Sequence, residues 1–181
     1  MYLLILLIIL IITIVTLVMM LSIVWGLIVT GGVPFISTNK KDFQAILEAV
    51  NLKPSETIYD LGCGKAHLLI YANKHFNSKG IGYELTLWPY LWAKFKIYLT
   101  KAKVKVFRTN FFGANLSGAD VVFCYLFPEV MAKLEPKFEA ELKSGSRVVS
   151  YGFRLPNKKV NREVITNDDN VELGKIYVYE Y

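Results

Sequence analysis

The chain has 181 residues, 54% of them apolar and 20% charged, with a formal net charge of +6, and that apolar share exceeds what an ordinary soluble domain carries. No Lys, Arg, Asp, Glu or His precedes Lys40, so residues 40–181 hold all 21 bases and all 15 acids. This excludes a disordered, collagen-like or disulfide-built chain, and leaves an apolar segment joined to one domain-sized remainder.

Met1 to Val29 is a run of Leu, Ile, Val, Met and Trp broken only by Tyr2, Thr13, Thr16, Ser22 and Gly26. As a helix it would be roughly 40 Å long, enough to cross the ~30 Å hydrocarbon layer with tilt. A cleaved signal peptide would need a basic start, a shorter apolar core and a small-residue cleavage site, none of which is present. We therefore expect a retained transmembrane helix at 1–30, a linker at 31–39 and a folded domain at 40–181. Lys40 and Lys41 flank the span, which places the domain on the cytoplasmic side of a single-pass protein.

Thr30 to Thr38 reads as a connector, with Ser37 or Thr38 able to cap a helix through Val50. Thr57–Leu61 is predicted as a buried strand, followed by Gly62 and Gly64 and a helix from about Ala66 to Phe76. The pattern repeats with a strand at Gly80–Glu84, a helix at Trp88–Thr100 and a strand at Val104–Arg108. Ala119–Phe127 is expected as a long strand, Pro128–Leu142 as a helix kinked by Pro136, and Arg147–Tyr151 as a further strand. Alternating strands and helices argue for a mostly parallel α/β sheet. Glu163–Thr166 and Lys175–Tyr181, joined by the turn Asn167–Asn170, read instead as an antiparallel pair.

Ligands of such sheets sit beyond the carboxyl ends of the strands. The first loop reads Asp60-Leu61-Gly62-Cys63-Gly64-Lys65-Ala66-His67. A dinucleotide fingerprint would want a small residue where His67 stands, which weakens a nicotinamide assignment. The order acidic-x-Gly-x-Gly-x-small is similar to the cofactor loop of class I S-adenosylmethionine (SAM) methyltransferases. Glu84, at the end of the next strand, can accept both hydroxyls of a ribose. Asn110 offers a carbonyl acceptor to an adenine amino group after the third strand, with Phe111 and Phe112 as an apolar wall. Each residue also has a purely structural role open to it, as turn glycine, strand end or turn asparagine. Cys63 and Cys124 read as small buried apolar residues, His67 and His75 as packing residues, and no spacing suggests a metal site.

A wider set of ordered motifs, VPFIST, YDLGCG, GYEL, TNFF, DVVFCYLFPEVMAKLEPKFEAEL and GSRVVSYGFRLP, covers nearly the whole chain. Together with the apolar segment, it resembles the single-pass membrane protein-lysine methyltransferases related to the ATP synthase c-subunit lysine methyltransferase. The resemblance implies a Rossmann-like class I fold with a seven-stranded sheet, SAM as donor and a protein lysine as acceptor. It assigns Asp60, Gly62 and Gly64 to the methionine and ribose side of the cofactor, Glu84 to the ribose hydroxyls, Asn110 with Phe111 to the adenine, and Thr38 to the methionine part. Lys65, Ala66 and Asn110 depart from the family's usual acid, glycine and aspartate, which keeps open a degenerate fold acting as a membrane-bound interaction module.

Methyl transfer needs a neutral amine held in line, and an apolar mouth encourages loss of its proton. Tyr125 and Phe127 are expected to wall that mouth, with Glu129 as partner of the substrate amine. The expected partners are the bilayer, through residues 1–30, and a protein near it; a lipid or small-molecule acceptor is the alternative, and no concentrated basic face points to RNA. The stripe Trp88, Trp92, Phe95 and Leu99, bordered by Lys94, Lys96 and Lys101, is of the kind that packs on a sheet or lies on lipid headgroups, and core packing is expected.

Overall fold

The computed structural model describes residues 2–29, 38–166 and 174–181. The apolar segment forms α1 (Tyr2–Val29), long and apolar enough to cross a membrane. Every described side chain up to Leu21 is exposed. Its few hydroxyls are satisfied inside the helix: Thr13 donates to the Ile9 carbonyl, Thr16 to Ile12 and Ser22 to Met19. A helix that answers its own polar groups suits hydrocarbon surroundings.

The remainder builds a seven-stranded sheet from β1 (Thr57–Leu61), β2 (Lys79–Tyr83), β3 (Val104–Phe107), β4 (Val121–Cys124), β5 (Arg147–Tyr151), β6 (Arg162–Ile165) and β7 (Lys175–Glu180), in the order β3-β2-β1-β4-β5-β7-β6. The first five strands are parallel, while β7 runs antiparallel between β5 and β6. This is the expected architecture, with one refinement: β7 lies inside the sheet and β6 forms its edge.

Strand side chains alternate between two cores. Ile58, Val121, Phe123, Val149, Ile176 and Val178 face one apolar cluster, and Tyr59, Leu61, Val122, Cys124, Val148 and Tyr177 face the other. The first cluster is covered by α2 (Phe43–Ala49) and α3 (His67–Phe76), the second by α5 (Pro128–Glu141). α4 (Leu87–Thr100) leans on the first cluster through Ala93. Both faces of the central strands β1, β4 and β5 are thus dry, which is why they read as mostly apolar runs, whereas the edge strand β3 alternates buried and exposed residues.

Two local expectations change. β4 stops at Cys124, because Phe127 turns to cap α5 and takes the chain out of the ladder. Entry to the domain is capped by Asn39, whose side chain accepts the Lys41 N–H at 3.2 Å over a 3₁₀ turn at Lys40–Asp42. Thr38 lies just outside that turn, and Ser37 lies outside the described residues, as do the linker positions 31–37 and the turn Asn167–Asn170. α5 continues through Pro136 to Glu141.

Candidate functional site

The register brings the ends of four strands to one edge. Leu61 pairs with Tyr83 and Cys124, and Tyr83 with Phe107. Whatever follows each strand therefore lies along the same edge, where sheets of this kind bind ligands in a crevice: Gly62 after β1, Glu84 after β2, Asn110 three residues past β3 and Tyr125 after β4. A cleft of about 590 Å³ lined by Glu56, Arg147 and Glu180 lies at the opposite, amino end of the parallel strands and contains none of these residues.

The first loop is pinned by its backbone. The Gly62 and Cys63 N–H groups both donate to the Tyr83 carbonyl, at 2.9 and 3.0 Å. Gly62 holds a φ of +90°, open to glycine and costly for other residues. Ala66 occupies the left-handed region at φ 55° directly before α3, a conformation costing an L-residue about 1–2 kcal/mol. Where the resemblance leads one to expect glycine, the chain thus holds an alanine in a left-handed backbone.

Glu84 is buried and ties the loop to the next element. One carboxylate oxygen accepts the Gly64 N–H at 2.9 Å and the other accepts the Thr86 N–H at 2.7 Å. Two N–H groups fix the carboxylate's orientation, and each oxygen retains a lone pair for a further donor. Asp60, one residue before the end of β1, is also buried, and burial first, then the negative charge of Glu84, pushes its carboxyl up to about 8. The crevice thus holds one carboxylate tied to backbone donors and one acid kept neutral near pH 7.

Asn110 is exposed, and its Oδ1 accepts the Phe112 N–H at 3.0 Å, capping the 3₁₀ turn Phe111–Gly113. Half of its acceptor capacity is therefore spent locally. Phe111 is half-buried against the second core, while Phe112 and Phe107 are largely exposed. Lys65 is exposed, and it joins Lys40 and Lys96 in a positive field on His67. His67 opens α3 with its Nε2 2.6 Å from Lys96 Nζ; desolvation and then Lys96 push it down to about 4. Lys40, in the domain's entry turn, acts on the same ring. His75 stacks on Tyr71 at 4.1 Å, and both cysteines are buried free thiols. Among the described residues no three metal-ligating side chains cluster.

The aromatic side of the crevice is larger than the sequence suggests. Tyr125 meets Tyr151 edge-on at 4.9 Å and stacks near Phe153 at 6.4 Å, and Phe127 meets Phe153 at 5.5 Å. Burial raises the Tyr125 phenol, and burial followed by a hydrogen bond to Asp42 raises that of Tyr151. Tyr151 donates to Asp42 at 2.7 Å, so the entry turn is bolted to the end of β5. Tyr151, Phe153 and Asp42 escaped sequence reasoning; the GSRVVSYGFRLP motif was the available signal. Glu129 is exposed in the first turn of α5, two residues after the half-buried Phe127.

Asp60 and His67 give a signed pH dependence. Between pH 3.8 and 8 the folded chain keeps the Asp60 proton that the unfolded chain has lost, so stability falls as pH rises, by at most about 1.4 kcal/mol per unit. Between 4 and 6.5 the folded chain lacks the His67 proton that the unfolded chain holds, so stability rises with pH. The two oppose each other up to pH 6.5, and the decline emerges from 6.5 to 8. Urea midpoints of the detergent-solubilised chain at those two pH values should differ, and Asp60→Asn should remove the difference.

Comparison with known proteins adds the following. A family model described as the ANTKMT methyltransferase domain matches residues 60–162. A protein-lysine N-methyltransferase of Saccharolobus islandicus (strain REY15A) is 33% identical over 150 residues, covering 81% of this chain and 92% of its own. The adenine nucleotide translocase lysine N-methyltransferase of Mus musculus is 28% identical over 144 residues, and the match spans 74% of this chain and 62% of that protein. Among solved structures, an RNA methyltransferase from Salinibacter ruber bound to S-adenosyl-L-homocysteine superposes with a TM-score of 0.75 at 26% identity, covering 80% of this chain and 93% of that one.

Proposed function

Because the chain belongs to the ANTKMT methyltransferase domain family and is a SAM-dependent methyltransferase of class I fold, we propose that it methylates a lysine side chain of a membrane or membrane-associated protein. In this reading residues 1–30 cross the bilayer, 31–39 link, and 40–181 form the catalytic domain on the cytoplasmic side. The observation that carries it is the shared edge on which the glycine loop, two buried carboxyl groups and an aromatic cluster converge. The lysine acceptor draws support from the archaeal and mouse relatives, whose names specify that substrate.

The residues present fit SAM. Asp60, Gly62 and Gly64, with Thr38, would hold its methionine and ribose side, Glu84 its ribose hydroxyls, and Asn110 with Phe111 its adenine. Glu84 is pre-aimed by Gly64 and Thr86, and Asp60 is an acid that the cationic cofactor would favour in its charged form. When bound, SAM supplies an electrophilic methyl group on sulfonium. The chain's own part is alignment and desolvation. Tyr125 and Phe127, backed by Phe153, form a wall that penalises an ammonium and favours the neutral amine. Glu129, exposed beside that wall, meets the incoming lysine while it is still charged.

Incubating the chain with methyl-labelled SAM and membranes should mark a protein band whose hydrolysis yields methyl-lysine. Label confined to lipid or RNA would overturn the acceptor. Cofactor binding followed by calorimetry should release a proton near pH 7 as Asp60 ionises, so affinity climbs between pH 6 and 8 and levels off above. Absence of any binding heat at millimolar SAM would favour the degenerate-module alternative.

A further inference from the structure

α4 touches the rest of the domain along one side only. Ala93 is fully buried, and Tyr90 and Ile97 are half-buried against the core. The other side carries Trp88, Leu91, Trp92, Phe95, Tyr98 and Leu99, which helical spacing sets in one stripe. These side chains are exposed, from 38% at Trp88 through 50% at Phe95 to 80% at Tyr98. The expected core packing is thus overturned, because Ala93, Tyr90 and Ile97 already fill the sheet side. Water-soluble monomers seldom leave so large a contiguous apolar face uncovered.

The margins of the stripe are basic. By helical angle Lys94 borders it beside Tyr98, and Lys96 borders it on the other flank beside Trp92; Lys101 follows at the carboxyl end. From Leu85 to Ala119 the chain carries six Lys or Arg and no Asp or Glu. An aromatic and aliphatic face between rows of lysine is the pattern of a helix lying in a membrane interface, rings at the acyl boundary and ammonium groups among the phosphates.

We propose that α4 docks flat on an anionic bilayer surface, as a second membrane contact of this chain. The proposal rests on the reading of α1 as the membrane span. Charge selects the occupant, since a second copy would set the same acid-free basic margin against itself. Leu91 and Leu99 interleave the rings and suit acyl chains better than stacked bases. Position agrees: residues 30–37 let the domain stand at most about 30 Å from the end of α1. Lys40, at the domain's entry, acts on His67, which contacts Lys96 of α4. The basic margin therefore lies on the tethered side of the domain. α4 also begins three residues after Glu84, so docking brings the mouth of the crevice to the membrane surface, within reach of an acceptor lysine at that level.

The three tryptophans, Trp25, Trp88 and Trp92, make this measurable. The full-length chain carrying Trp25→Phe is reconstituted into phosphatidylcholine–phosphatidylglycerol vesicles with brominated acyl chains. Emission from Trp88 and Trp92 should be blue-shifted and quenched by the bromines. Phe95→Glu with Leu99→Glu should abolish the quenching while the chain still floats with the vesicles and keeps its circular dichroism. Lys94→Glu with Lys101→Glu, at two exposed positions, should weaken the quenching in anionic vesicles. A chain that floats with unquenched tryptophans overturns the docking, whether the emission is that of water or is blue-shifted by a protein partner or added RNA. Quenching unaffected by both double variants also overturns it. A chain that fails to float overturns the anchor together with the docking, whereas methyl-lysine formation is read separately and survives either loss.

Discussion

Glu84→Ala is expected to remove measurable SAM binding and to lower the melting temperature in the same variant. The carboxylate holds the Gly64 and Thr86 N–H groups at 2.9 and 2.7 Å, and Glu84 is only 6% exposed. Truncation leaves a buried donor unpaired, at about 1–3 kcal/mol, and frees the glycine loop from β2. Two hydroxyls lost from a charged acceptor, each worth about 1.5–3 kcal/mol, predict at least a hundredfold weaker affinity. Glu84→Gln separates the two effects. Its one carbonyl can still serve one N–H, but its amide nitrogen meets the other as donor against donor. Calorimetry should therefore find weak binding for Gln and none for Ala. Affinity within threefold of wild type for the alanine variant would remove Glu84 from the cofactor site.

Gly82→Ala is expected to be the most damaging one-methyl change in the sheet. A Cβ at this position of β2 would lie 2.5 Å from Cys63 Sγ, 2.9 Å from Cys63 Cβ and 3.0 Å from Leu69 Cδ1. None of these can swing away cheaply. Cys63 is the middle of the glycine loop and Leu69 is fully buried in α3. Overpacking of this kind costs about 1–3 kcal/mol, and relief comes only by lifting the loop from the strand. Thermal unfolding should shift down, and SAM affinity should fall at least tenfold by the same movement. Cys63→Ala in that background should recover part of the stability, because it removes the nearer atom and leaves the Cβ contact. Gly113→Ala, with nothing within 4 Å of the added carbon, is the neutral control. Equal behaviour of the two glycine variants would contradict the packing described for the loop.

The fold was legible because its central strands carry two dry faces. VVFC is wholly apolar, TIYDL is broken only by Thr57 and Asp60 and RVVSY only by Arg147 and Ser150, and the glycine pair after the first strand marks where strand gives way to helix. What escaped was whatever depends on distant partners. Asp42 and Tyr151 are 109 residues apart in sequence, and nothing local in either announces their hydrogen bond. Asn110 and Glu84 were identified by position, while their backbone partners, Phe112 on one side and Gly64 with Thr86 on the other, emerge only from the folded chain. The α4 stripe shows a different limit. Helical periodicity reports that one face is apolar and is silent on what covers it, so Trp92 and Phe95 read alike for a core and for a surface.

The interior place of β7 has a consequence for biogenesis. β7 is the last strand in chain order, yet β5 and β6 meet only through it. While the ribosome is still making residues 175–180, β5 has an open edge and β6 has no neighbour to pair with. Sheet closure is thus a late event that joins Arg147–Tyr151 to a strand some thirty residues downstream, the kind of non-local pairing that slows folding and leaves a nascent chain prone to association. Deletion of β7 should accordingly yield aggregate instead of a smaller stable domain, as read by size-exclusion chromatography.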